Sequence, residues 1–146
     1  MKNKTLTVSS VFVLVFAVAL AALLCTAPML VELFGEIRAF SQLVLDCILY
    51  TFYLCSLPAA IALYGLWQLL RNIQKEQIFV LENCRLLGMI SWCSLTVTIL
   101  TLAACYHYLP FGLVSVAMLF IFLIVRVVRS CMLNGTALKE ENSLTI

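Results

Sequence analysis

The hydrophobic positions of this chain form long runs rather than periodic stripes. Four apolar stretches, Val8 to Leu30, Leu43 to Leu70, Leu86 to Tyr106 and Pro110 to Val127, are separated by short polar segments. Crossing the roughly 30 Å hydrocarbon core of a bilayer takes about 20 such residues as a helix. Lipid offers no partner to backbone N–H and C=O groups, so each span must satisfy its own. The pattern therefore predicts an all-α integral membrane protein. Its four transmembrane helices form an antiparallel up-down-up-down bundle within a single domain, residues 1–146. Between the second and third spans lies a loop, 71–85, and after the fourth a tail, 128–146.

The third and fourth spans are told apart by His107-Tyr108-Leu109-Pro110-Phe111-Gly112. Proline and glycine so close together, beside a histidine and a tyrosine, suit a tight turn at an interface better than the middle of one long helix. Pro58 falls inside the second span, where membrane helices tolerate it because neighbours satisfy the freed backbone group. Ala17 and Ala21, with Ser56 and Ala60, give the small-residue spacing that lets helices approach closely.

Composition agrees: 64% of the 146 residues are hydrophobic and 11% charged, and the mean hydropathy is +1.12. A soluble fold cannot hide that much apolar surface. A net charge of +2, scattered along the chain, is too weak for direct nucleic-acid binding. Seven cysteines, odd in number and without CxxC spacing, read as small buried hydrophobes. The first span is longer than the roughly 7–15 residues of a signal-peptide core, and Leu24 before Cys25 is too large for a lipoprotein cleavage site, so it is expected to be retained.

Charge placement sets the orientation. Of the 9 Lys and Arg residues, Lys2, Lys4, Arg71, Lys75, Arg85, Arg126, Arg129 and Lys139 fall on one side of a four-span arrangement, leaving Arg38 on the other. The positive-inside rule then puts both termini and the 71–85 loop in the cytoplasm. Trp67 and Trp92 fall near that face, Tyr106 and Tyr108 near the opposite one.

Helical spacing collects Asp46, Tyr50, Tyr53 and Tyr64 on one face of the second span, and Ser91, Ser94, Thr98 and Thr101 on one face of the third. Tyrosine hydroxyls in hydrocarbon need partners, and serine and threonine hydroxyls supply them. The two stripes are expected to face each other as a polar seam, either as glue between helices or as a path for a proton or small polar ligand with Asp46 titrating. Asp46 lies only about one turn inside the outer boundary, whereas a proton-coupled carrier is expected to hold its acid near the midplane. His107, Asp46 and Glu32 lack any ligand spacing, so no metal is expected. No Walker loop, HExxH, GxSxG or glycine-rich dinucleotide turn occurs, so neither catalytic residues nor a cofactor is expected.

The segment Ile78-Phe79-Val80-Leu81-Glu82-Asn83-Cys84-Arg85-Leu86-Leu87-Gly88-Met89-Ile90, with Leu138-Lys139-Glu140-Glu141-Asn142-Ser143-Leu144-Thr145-Ile146, resembles the bacterial membrane family named domain of unknown function 2975. Members share the length and the four spans, often carry Phe-x-x-Glu-Asn before the third helix, and often finish in Leu-Thr-Ile. A glycine is usual before the Ile-Phe pair, where this chain has Glu76-Gln77. A serine or threonine often caps the third helix, where this chain has Val80, so Glu82 and Asn83 are expected to serve the first-turn amides. Asn134 and Gly135 are expected to end the fourth helix.

The resemblance implies a component of the inner membrane of a bacterium, paired with a small helix-turn-helix transcription regulator encoded nearby. The leading expectation is accordingly a non-enzymatic regulatory or interaction protein, with Phe79, Glu82, Asn83 and Arg85 as its cytoplasmic contact. A second expectation is a small transporter or channel working through the polar seam as a homo-oligomer. A third is an immunity or envelope-stress protein.

Overall fold

A computed structural model describes residues 2 to 145, with side chains from residue 4. Four helices occupy nearly all of it: α1 (Lys2–Arg38), α2 (Gln42–Gln74), α3 (Leu81–Ala104) and α4 (Pro110–Leu144). All four are long and apolar enough to span a membrane. They run up and down, so the start of α1, the α2–α3 loop and the end of α4 share one end of the bundle. The two tight turns share the other. Ile146 lies outside the described residues.

Contacts follow chain order. α1 packs on α2, α2 on α3 and α3 on α4, and among the described residues no other pair of helices meets along its length. α3 is consequently the centre: 39% of its most apolar stretch is buried against 6% in each of the others. Small residues permit the close approaches. A Cβ added at Gly65 would lie 2.7 Å from Met89 Cε, and one added at Gly88 3.2 Å from Arg129 Nε. At the turn end, Tyr108 meets Phe34 and Phe40 edge-on, with ring centroids 6.5 and 5.8 Å away, tying the two turns together.

The helices outrun the apolar stretches. At 1.5 Å per residue the 37 residues of α1 and the 35 of α4 make rods of about 50–55 Å, well beyond a roughly 30 Å core. Charged residues mark where lipid ends, but nothing there obliges a helix to stop. The expected stop at Asn134 and Gly135 is overruled: both are helical, and Phe79 from the α2–α3 loop packs where a side chain on residue 135 would stand, so the glycine serves a close approach rather than a stop. α3 likewise begins at Leu81 rather than Leu86.

The helix ends carry the strain. α2 closes in a Schellman arrangement: the Glu76 N–H donates to Ile73 O at 3.0 Å and the Gln77 N–H to Asn72 O at 3.1 Å. This requires a left-handed residue at position 76, and Glu76 supplies it with φ 61°. A side chain there costs about 1 kcal/mol that glycine does not pay. Glu76→Gly should therefore stabilise the protein by about 1 kcal/mol, read as a higher melting temperature in detergent. An unchanged or lower midpoint would contradict this.

Candidate functional site

The α2–α3 loop is organised by Asn83, which has no exposed surface. Its Nδ2 donates to Gln77 O at 2.7 Å and to Ile78 O at 2.9 Å, and its Oδ1 accepts from Asn72 Nδ2 at 2.9 Å. One side chain thus joins the last turn of α2, the loop and the first turn of α3. Glu82 makes a second tie, its Oε1 accepting from Gln68 Nε2 at 3.0 Å. The expected service to the first-turn amides does not occur. Val80 stands at the N-cap without a side-chain hydrogen bond, and the Asn83 amide turns back to carbonyls instead, because the turn after Gln77 leaves those oxygens pointing at it.

Phe79 and Leu81, half-exposed at 45% and 53%, then face the end of α4. The Phe79 ring sits on Gly135: a Cβ there would lie 2.5 Å from Phe79 Cε1. Arg129 ties the same helix to α3, its Nε donating to Cys84 O at 3.0 Å. Between the loop and α4 opens a groove of about 330 Å³, lined by Phe79, Val80, Leu81, Thr136, Lys139, Glu140 and Ser143. Arg85 is exposed one turn along α3 from Leu81. Of the four residues expected to form a contact, Phe79, Glu82 and Arg85 present surface. Asn83 lies inside the fold, and Glu82 is engaged with Gln68. The parts missed from sequence are Gln68, Asn72, Arg129 and Gly135. A polar Asn72 one turn before the loop was the available signal.

The two stripes within the spans do not meet as expected. Ser91, Ser94, Thr98 and Thr101 are buried, with relative exposures of 1%, 4%, 7% and 2%. Ser94 donates to Ile90 O, Thr98 to Ser94 O and Thr101 to Val97 O, within α3 itself. Ser115 of α4 adds a bond to Thr98 O at 3.1 Å, and Ser91 Oγ is buried without a partner. Tyr50 and Tyr64 are 69% and 60% exposed, on the side of α2 turned from α3. Tyr53 reaches α1, donating from its hydroxyl to Leu24 O at 3.1 Å. That oxygen lies four residues before Pro28, which has no N–H to offer it. The hydroxyls of α3 turn back to their own helix carbonyls, a bond open to any Ser or Thr, and so they do not draw the tyrosines inward. Asp46 is exposed at the turn end, where it lines an open cleft with Glu32 and Glu36, and His107 lies outside that cleft.

A comparison with protein families matches residues 1–146 to the model described as "Protein of unknown function (DUF2975)". Neither a curated protein nor a solved structure matches the chain.

Proposed function

This chain belongs to the DUF2975 family, and we propose that it acts as a non-enzymatic membrane anchor that presents the α2–α3 loop and the end of α4 to a cytoplasmic protein. The observation that carries this is the continuation of α4. From Gly135 to Leu144 it runs on as helix, held at its root by Phe79, with Leu138 and Leu144 60% and 86% exposed. A helix that leaves the apolar zone with leucines uncovered, beside a groove with apolar and charged walls, suits docking of an amphipathic segment. The basic residues gathered at this end support a cytoplasmic orientation. The resemblance to a family with neighbouring helix-turn-helix regulators supports such a regulator as the partner.

The full chain, tagged and solubilised from native membranes, should co-purify the regulator encoded beside it. Leu138→Glu should lower the recovered partner at least severalfold while the chain's own membrane level holds. Recovery unaffected by Leu138→Glu, or no regulator recovered, would overturn the reading.

A further inference from the structure

Away from the loop, a second groove runs along the boundary of α1 and α2, with a volume of about 470 Å³. Ala17, Ala21 and Ala60 open it, and Leu24 and Tyr64 are among its other walls. Its deep end lies where Tyr53 donates to Leu24 O. Trp67 stands at the opposite end, with the Arg71 guanidinium 5.6 Å over its ring. From Val13 to Leu24, α1 rises about 16 Å, half of a roughly 30 Å hydrocarbon core. The groove is therefore one leaflet deep, and its tryptophan and arginine stand where headgroups begin.

Charge at the mouth is mainly basic, the nearby Glu82 carboxylate being engaged by Gln68 on the α3 side of α2. Gln74 Nε2 lies 3.5 Å from Leu6 O, which sets the first turns of α1, with Lys4, beside the end of α2, with Arg71 and Lys75. Lys4, Arg71 and Lys75 are all exposed, and the acidic Glu76 follows only beyond the end of the helix. A transmembrane helix of a second copy would lie across this groove rather than within it, since 16 Å of helix 10 Å across occupies roughly 1,250 Å³. A single hydrocarbon chain is narrow enough, and a basic, aromatic mouth above an apolar slot matches an amphiphile with an anionic head.

We propose that this groove holds one acyl chain of an anionic phospholipid whose phosphate rests on Arg71. The test uses the full chain carrying Trp92→Phe, so that Trp67 alone reports, in nanodiscs containing dibrominated phosphatidylglycerol or dibrominated phosphatidylcholine at equal mole fraction. Phosphatidylglycerol should show about fivefold higher apparent affinity in quenching Trp67, the effect of about one cationic side chain near anionic lipid. Arg71→Gln should remove that preference, and Ala60→Phe, which fills the slot while keeping every charge, should also remove it. Equal quenching by the two lipids overturns the proposal, as does a preference surviving either substitution. Inorganic phosphate should leave the preference intact, and its loss on adding phosphate would make free phosphate the ligand instead.

Discussion

Asn83→Ala is expected to cost about 2–4 kcal/mol of folding stability. The change strands two backbone carbonyls, on Gln77 and Ile78, and the amide of Asn72, around a residue with no exposed surface. Each buried group left without a partner costs about 1–3 kcal/mol, and partial hydration of the loop keeps the sum below three full penalties. Asn83→Asp should be nearly as damaging, because the acceptor for Asn72 survives while a carboxylate replaces the donor facing two carbonyls. Denaturation of the detergent-solubilised chain, followed by tryptophan fluorescence, measures both. A loss below about 0.5 kcal/mol, the scale of a neutral surface change, would show that the loop does not depend on Asn83.

Gly135→Ala should reverse its usual sign. Within an ordinary helix, alanine is about 1 kcal/mol better than glycine. Here its Cβ would lie 2.5 and 2.7 Å from Phe79 Cε1 and Cδ1, so the ring must leave its seat. The expected outcome is a loss of about 1–2 kcal/mol, in the range of overpacked sites. In a Phe79→Ala background the clash is gone, and the same substitution should stabilise by up to about 1 kcal/mol. A double-mutant cycle reads the reversal directly. Destabilisation of equal size in both backgrounds would rule out the Phe79 seat as its cause.

These two sites also mark where reading the chain stops short. Apolar runs long enough to span, and a Pro-Gly turn between the last two, were legible because lipid imposes length and backbone closure on every segment. The up-down order followed from the short connections. The end of α4 was not legible. Asn-Gly is a stop signal in isolation, and only the arrival of Phe79, which is more than fifty residues earlier in sequence, turns that glycine into a seat. The hydroxyl stripe of α3 was visible by its spacing, and the structure buries it. Which helix Tyr53 would turn to was not, since the pairing depends on a carbonyl left open by a proline in another helix, and α3 hydroxyls bond within their own turns. Glu82 and Asn83 stood out as a motif, yet a motif does not say whether its side chains point outward to a partner or inward to the loop. Here Asn83 points inward.

The bond from Tyr53 to the Leu24 oxygen bears on how the sequence is free to drift. Pro28 withholds the backbone donor that this oxygen would otherwise receive, and the tyrosine hydroxyl stands in for it. Losing the proline would restore the α1 hydrogen bond while the carbonyl's second lone pair still takes the hydroxyl, whereas losing the tyrosine alone would leave a bare carbonyl in lipid. The order of change is therefore one-sided: the tyrosine is free to go only after the proline has gone. Across related chains, phenylalanine or leucine at the tyrosine position should be found only where an ordinary helix former has replaced the proline.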